Sequence, residues 1–187
     1  AGYGFNQIDF EKKNIFEKIK KNKIVEYLNI YSSTPGRVSS SGWHSKILNL
    51  KEDILADWVF TTICIFKRSE IKDFKFDESF GKYSYLEDLD FSLNLGKIKK
   101  KIYISSKARF KHPQNIDRSG FNFGIVEINN RFKIIKKHNL SKKHFIFGCI
   151  IRFIISILKS VPSNRKYFLR AVGNIYGLFL ILKKKLN

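Results

Sequence analysis

The chain has very little sulfur. No Met occurs in its 187 residues and position 1 is Ala, so we expect the sequence to be either an excerpt of a longer chain or a processed product. Its two cysteines, Cys64 and Cys149, lie in apolar runs and have no metal-ligand companions at useful spacing. They are predicted to be buried free thiols, which fits a reducing compartment.

The chain also has no long apolar run. The two longest runs cover residues 145–158, broken by Arg152, and residues 175–182, followed by three lysines. Neither reaches the ~20 residues that crossing a bilayer requires. Short apolar helices flanked by Lys and Arg suit the headgroup interface of a membrane. We therefore predict that residues 144–187 form a basic helical tail at an anionic membrane surface, and that the protein is cytoplasmic and peripheral at the inner face of the cell membrane.

Acidic residues are scarce as well. Asp and Glu total 16 against 36 for Lys and Arg, which gives a net charge of +20. A field of this sign attracts phosphates, anionic lipid or acidic glycans. An AT-rich coding bias would leave the same excess of Lys, Ile, Asn and Phe. Only eight of the basic residues are Arg, whose bidentate fork phosphate-reading proteins often use, so no specific nucleic-acid partner is expected.

Local patterns predict a mixed α/β chain. Clusters of Gly, Pro and Ser mark residues 1–50 as mostly loops, with a loosely helical stretch at 15–31. A run of β-branched and aromatic residues at 57–66 predicts a buried strand, and residues 101–105 predict a second one. Residues 121–138 have the periodicity of an amphipathic helix.

A further helix is predicted over residues 84–95, and its start holds three carboxylates. Ser84 and Glu87 have the spacing of a capping box, which explains Glu87 as well as a chemical role does. Asp88 is not used by such a cap. A carboxylate held there could take a proton from an attacking hydroxyl, which is the task of a general base. Asp88 and Glu87 are therefore the candidate catalytic residues.

A set of motifs in this region resembles the second half of the family 2 glycosyltransferases. The resemblance covers about residues 34–140, and it rests on the order and intervals of Trp58, Arg68, Phe76-Asp77-Glu78, Tyr83, Tyr85, Glu87-Asp88-Leu89-Asp90-Phe91-Ser92, Ala108, His112 and Arg118. One departure is a pair of threonines, Thr61 and Thr62, where members of the family usually carry a small residue such as Gly.

The resemblance implies an incomplete α/β domain of the Rossmann-like GT-A fold, with residues 1–143 forming its C-terminal, acceptor-side part. It implies transfer of a sugar, with inversion, from a nucleotide-sugar donor to a hydroxyl of a glycan or lipid-linked acceptor, in cell-surface polysaccharide or glycolipid synthesis. The role of the family's base maps onto Asp88.

The resemblance also implies a divalent metal, Mg²⁺ or Mn²⁺, at the sugar-nucleotide diphosphate. The family binds it mainly with a D-x-D motif, which does not precede the acceptor half of this chain. His112 occupies the place of a histidine that assists the metal, and imidazole suits Mn²⁺ better than Mg²⁺. The isolated chain is therefore expected to bind donor poorly and to be inactive.

Four residues are predicted to line the substrate site. Tyr85 precedes the acidic pair, and Arg118 follows His112. Trp43 belongs to a loop at 35–44 that is predicted to expose its aromatic side chain near sugar or pyrophosphate. Trp58 fits either the core or the acceptor wall. For Asp77 we favour a turn-forming role through side-chain to backbone hydrogen bonds.

Two non-enzymatic alternatives remain open at this point. One is a basic module whose lysines and aromatics hold nucleic acid along a groove. The other is a scaffold that binds membranes peripherally.

Overall fold

The protein is a mixed α/β chain built on one four-stranded sheet. The computed structural model describes residues 1–8, 22–81, 84–111, 118, 120–161 and 165–183. The strands are β1 (Gly2–Gln7), β2 (Ile54–Ala56), β3 (Cys64–Phe66) and β4 (Ile102–Phe110). They lie in the order β2-β4-β1-β3, with β1 and β4 parallel and both edge strands antiparallel to their neighbours. The α/β class predicted from the sequence is confirmed.

Six helices accompany the sheet in the part of the chain that the structure describes. They are α1 (Lys23–Tyr27), α2 (Arg68–Ile71), α3 (Glu87–Lys97), α4 (Phe121–Lys137), α5 (Lys142–Ser160) and α6 (Arg165–Lys183), with a 3₁₀ turn at Glu78–Phe80. The predicted helices at 84–95 and 121–138 are confirmed, as is the strand beginning near residue 101. Part of the loosely helical stretch predicted at 15–31 lies outside the described residues.

The central strand β1 falls in a region that we predicted to be loops. Two glycines of this strand, Gly2 and Gly4, are needed for packing. A Cβ at Gly4 would overlap the side chains of Val59 and Ile104, and one at Gly2 would overlap Phe66. Glycine at these two positions lets neighbouring side chains approach the backbone of the strand closely. Strand propensity alone would count glycine as unfavourable there.

The predicted strand at 57–66 is wrong except for its last three residues. The carboxylate of Asp57 accepts a hydrogen bond from the Val38 amide at 2.9 Å and pairs with Arg37 at 3.0 Å. A turn follows, in which the amide of Ile63 donates to the carbonyl of Phe60. These bonds hold residues 57–63 outside the sheet, although apolar side chains of this segment still enter the core.

Two apolar clusters form the interior. The first joins the sheet to α3 and includes Trp58, Leu89, Leu95 and Ile104. The second joins α4, α5 and α6 to the segment at 30–43, and its members include Tyr31, Trp43, Ile128, Phe145, Cys149 and Leu178. The basic tail therefore packs against the rest of the chain. None of the helices in the described part of the chain is both long and apolar enough to cross a membrane.

Candidate functional site

Helix α3 begins in strained backbone. Ser84 and Leu86 both have positive φ angles, 48° and 75°, which are uncommon for residues other than glycine and cost energy. Leu86 holds this conformation while its side chain is buried in the first cluster. The predicted capping box is wrong: Leu86 is the N-cap, no side chain caps the helix, and the Ser84 hydroxyl donates to the Gly81 carbonyl. Glu87 therefore has no capping role.

Asp88 lies half-buried in the first turn of α3. The Val59 amide donates to the Ser92 hydroxyl at 3.2 Å, and that hydroxyl donates to the Asp88 carbonyl at 2.7 Å. These bonds fix the turn against the segment that contains Thr61. Burial raises the pKa of the Asp88 carboxyl and the Glu87 charge raises it further, whereas Arg118 and the Thr61 backbone oppose the rise.

Asp88 forms no ion pair among the residues that the structure describes. The ion pairs there use Asp57, Glu70, Asp77, Asp90 and Glu127. The Asp88 carboxylate accepts hydrogen bonds from its own backbone and from that of Thr61, and burial raises its pKa in spite of them. Such a group holds a proton more readily than an ordinary Asp, which is the property a general base needs.

Two of the residues predicted to bind substrate stand beside Asp88. The guanidinium carbon of Arg118 lies 5.6 Å from the centre of the Tyr85 ring, within cation–π range. The Arg118 charge also acts on Asp88, because it lowers the pKa of that carboxyl. Tyr85 packs edge-on against Phe123 at 5.0 Å, and Arg118 is exposed. The structure thus brings Tyr85, Glu87, Asp88 and Arg118 together.

The neighbouring carboxylate, Asp90, has a structural role. It is buried, and its two oxygens lie 2.8 Å from His138 Nε2 and 2.8 Å from Lys137 Nζ. Burial opposes ionisation, but these two partners outweigh it and lower the pKa of Asp90. Asp90 therefore fastens α3 to the end of α4.

Asp77 fixes a turn, as predicted. Its carboxylate accepts from the Ser79 amide at 3.0 Å at the start of the 3₁₀ turn. The same carboxylate pairs with Lys137 at 2.7 Å. Its bonds to Lys137 and Ser79 lower the pKa of Asp77 to about 2.

Both tryptophans are buried. The prediction of an exposed aromatic at Trp43 is wrong: its indole is 6% exposed, lies under the Arg131 guanidinium at 4.4 Å, and packs on α5 at Gly148. Trp58 is 3% exposed, belongs to the first cluster, and donates its indole N–H to the Ser45 carbonyl at 3.0 Å. A substrate-binding role for either tryptophan stays a prediction.

The described residues do not fit a metal site. The D-x-D pair available here is Asp88 and Asp90, and the carboxylate of Asp90 is occupied by His138 and Lys137. No group of three or more His, Cys, Asp or Glu residues that could hold a metal ion occurs in the parts of the chain that the structure describes. The predicted ligand His112 lies outside those parts.

A cavity of about 480 Å³ opens at the opposite end of α3. Its walls include Leu55, Ile102 and Leu140, and lysines such as Lys97 and Lys101 stand around it. Tyr85, Glu87, Asp88 and Arg118 do not line this cavity, although Ser92, which donates to the Asp88 carbonyl, does. We therefore assign it no part in the chemistry of Asp88.

Three positioning residues were not predicted from the sequence. Ser92 secures the Asp88 turn, Asn130 donates to the Tyr85 carbonyl at 2.9 Å, and Thr61 faces the Asp88 carboxylate with its backbone. Ser92 could have been found, because it follows Asp88 by four residues on the predicted helix. Asn130 could not, because it lies 45 residues away in sequence from the carbonyl that it binds.

Comparisons of the chain with protein-family models, curated proteins and solved structures gave no match.

Proposed function

We propose that Asp88 is the general base of an inverting glycosyltransferase whose acceptor-side part is formed by this chain, on an α/β domain of the GT-A type. The observation that supports this function best is the state of the Asp88 carboxylate. It is half-buried, enters no ion pair within the described ranges, and lies in the field of Arg118, whose guanidinium in turn lies over the Tyr85 ring.

The proposed reaction proceeds by one displacement. An acceptor hydroxyl gives its proton to Asp88 as its oxygen attacks the anomeric carbon of a nucleotide-sugar. The bond from that carbon to the diphosphate breaks on the opposite side, the electron pair leaves with the diphosphate oxygen, and the configuration inverts. The raised pKa of Asp88 makes it a stronger base than an exposed Asp.

Tyr85 and Arg118 have complementary roles in this proposal. The Tyr85 ring offers a flat apolar surface for a sugar ring, and Arg118 offers fixed donors to hydroxyl or phosphate oxygens. Glu87 adjoins Asp88 at the helix start, and the Glu87 charge helps to raise the pKa of Asp88. No step is assigned to a metal, because the described donor set does not fit one.

We further propose a glycan or lipid-linked acceptor, and cell-surface polysaccharide or glycolipid synthesis at the inner face of the cell membrane. The support is the basic, apolar character of α5 and α6, which would keep the protein near lipid.

The base is tested by replacing Asp88 with Asn in the full natural protein. Transfer from nucleotide-sugars to glycan or lipid-linked acceptors should fall by about 10²- to 10⁴-fold, the usual value of general-base catalysis. The matched control is Asp73→Asn, an exposed carboxylate, which should leave the rate unchanged. Undiminished transfer by the Asp88 variant would remove the proposed base.

The pH dependence gives a second test. The rate should rise with pH as Asp88 loses its proton, with a midpoint above the ordinary Asp value of 3.8 because the pKa of Asp88 is raised. A midpoint at or below 3.8 would contradict the assignment.

A second candidate function, nucleic-acid binding, is favoured by one specific feature. The exposed rings of Tyr3 and Tyr103 stack at 5.8 Å on one face of the sheet, in register with exposed Leu55 and Ile65 on the edge strands. Exposed aromatics on a sheet can stack with bases. Tight, salt-dependent binding to single strands that Tyr103→Ala abolishes and Asp88→Asn preserves would favour this function over sugar transfer.

A further inference from the structure

Helices α5 and α6 each present a row of large apolar side chains to solvent. On α5 the exposed fractions include 57% for Phe147 and 46% for Ile154, and on α6 they include 56% for Phe179. The rows repeat every three or four residues, so each follows one helix face. Their members are Phe147, Ile150, Ile154 and Leu158 on α5, and Phe168, Leu169, Val172, Ile175, Tyr176, Phe179 and Leu182 on α6.

The arginines that interrupt these helices in sequence point inward. Arg152 Nε lies 3.1 Å from Glu127 Oε1, and Arg170 Nη2 lies 2.9 Å from the same oxygen. Glu127 is buried on α4, where it also accepts from Asn174 at 3.0 Å. One carboxylate therefore removes both guanidinium groups from the outer faces, which are left without charge along their central turns.

The two faces are also held in place before any partner arrives. Glu127 ties α4 to both tail helices, and its ionised form is strongly favoured: burial opposes ionisation, but Arg152, Arg170 and Arg131 hold the pKa of Glu127 well below its usual range. Helices α5 and α6 also pack against each other, and their closeness in sequence favours an antiparallel arrangement. The apolar rows thus belong to a preformed surface.

The ionised side chains of α5 and α6 are all of one sign. Residues 128–187 contain no Asp or Glu. Exposed basic residues stand at the ends of both helices, at Lys142 and Lys143, at Arg165, and at Lys183. A second copy placed on the same face would bring these cations together with no carboxylate to pair them. An anionic lipid surface supplies the missing charge.

We propose that the outer faces of α5 and α6 dock together in the headgroup layer of an anionic bilayer. The helices lie in the interface with their apolar rows among the upper acyl chains, and the terminal lysines and arginines contact lipid phosphates. This deepens the membrane location proposed above. It makes no use of Asp88, so Asp88→Asn should bind vesicles as the wild type does.

The test is flotation with phosphatidylcholine vesicles, with or without about one-third phosphatidylglycerol. The full natural protein should bind the anionic vesicles, and added salt should weaken the binding because it screens the terminal cations. Ile154→Asn and Phe179→Asn should each weaken binding about ten-fold or more, through loss of buried apolar area. The matched control is Ile24→Asn, which changes a residue that is 68% exposed on α1 and should have no effect.

The structural control is urea unfolding, in which all variants should match the wild type because each changed side chain is exposed. The proposal is overturned if the double variant Ile154→Asn/Phe179→Asn floats like the wild type, or if neutral vesicles bind equally well. It is also overturned if the wild type binds neither vesicle and instead forms a dimer that the double variant dissociates. In that case a second copy covers the faces.

Discussion

Asp88 and Asp90 stand two residues apart on α3, and replacing each with Asn should change stability in opposite directions. Asp90 is ionised and paired with His138 and Lys137 inside the protein. Asp88 is half-buried and enters no ion pair in the described part of the chain. The folded state thus stabilises one charge and disfavours the other.

The pH dependence follows from the two shifts. The pKa of Asp90 is lowered, so its contribution to stability is present above the unfolded value of 3.8 and is lost as pH falls through the folded pKa. The pKa of Asp88 is raised, so its ionisation destabilises the fold above the folded pKa, and this penalty disappears as pH falls toward 3.8. Both effects therefore grow as pH rises above 3.8.

Urea unfolding near pH 7 should show Asp90→Asn less stable than the wild type by about 2 to 4 kcal/mol, since it breaks a buried charge pair. Asp88→Asn should be more stable, by on the order of 1 kcal/mol, because a desolvated charge becomes neutral. The gain should shrink as pH falls toward 3.8. A loss of stability in Asp88→Asn at neutral pH would refute the view that this carboxylate is retained at a cost to the fold.

Cys64 gives an independent readout of the Asp88 charge. Burial and the nearby Asp88 carboxylate raise the pKa of the Cys64 thiol to about 11. Asp88→Asn should therefore speed alkylation of Cys64 at alkaline pH, because only the thiolate reacts. Cys149 is fully buried and should not be alkylated in the wild type or in Asp88→Asn. Equal alkylation rates would mean that the two side chains do not interact.

Two other predictions concern the tail helices. Glu127→Gln should lower the free energy of unfolding in urea by about 3 to 5 kcal/mol, because it leaves buried guanidinium groups without their carboxylate. Since the pKa of Glu127 is lowered, the stability of the wild type should fall as pH drops below 4.5. The difference in stability between the wild type and the variant should then narrow. Gly173→Ala should lower the free energy of unfolding by about 3 kcal/mol, because the new Cβ would overlap the Phe121 backbone. The control is Gly96→Ala on α3, where a Cβ meets nothing within 4 Å and should raise the free energy of unfolding by about 0.5 to 1 kcal/mol. Equal effects of the two glycine changes in the same assay would contradict the packing described.

Helix periodicity carried most of the sequence prediction of the fold. The helices α3 and α4 begin and end within a few residues of their predicted bounds, because each buries one regular apolar face. The strand predictions were weaker, because they inferred pairing in a sheet from local composition alone. β1 contains glycines for close approach, and Asp57 anchors a segment in which only the last three residues, 64–66, pair in the sheet.

The candidate site could be found from the sequence only in part. Spacing placed Asp88 and Glu87 at a helix start, but it could not show which carboxylate of this helix is bonded to other side chains. That depends on Lys137 and His138, nearly fifty residues downstream, which occupy Asp90. The meeting of Tyr85 with Arg118 likewise depends on tertiary packing that periodicity does not encode.

Arg170 connects the candidate site with the proposed membrane surface. Its guanidinium binds Glu127, donates to the Arg118 carbonyl, and lies 4.5 Å from the ring of Phe123, which in turn packs on Tyr85. The side chain that leaves the outer face of α6 without charge therefore also supports the residues beside Asp88. If α6 docks on lipid, these contacts set the site at a fixed height above the headgroups. The two proposals therefore depend on one set of packing contacts, which joins α6 to the residues beside Asp88.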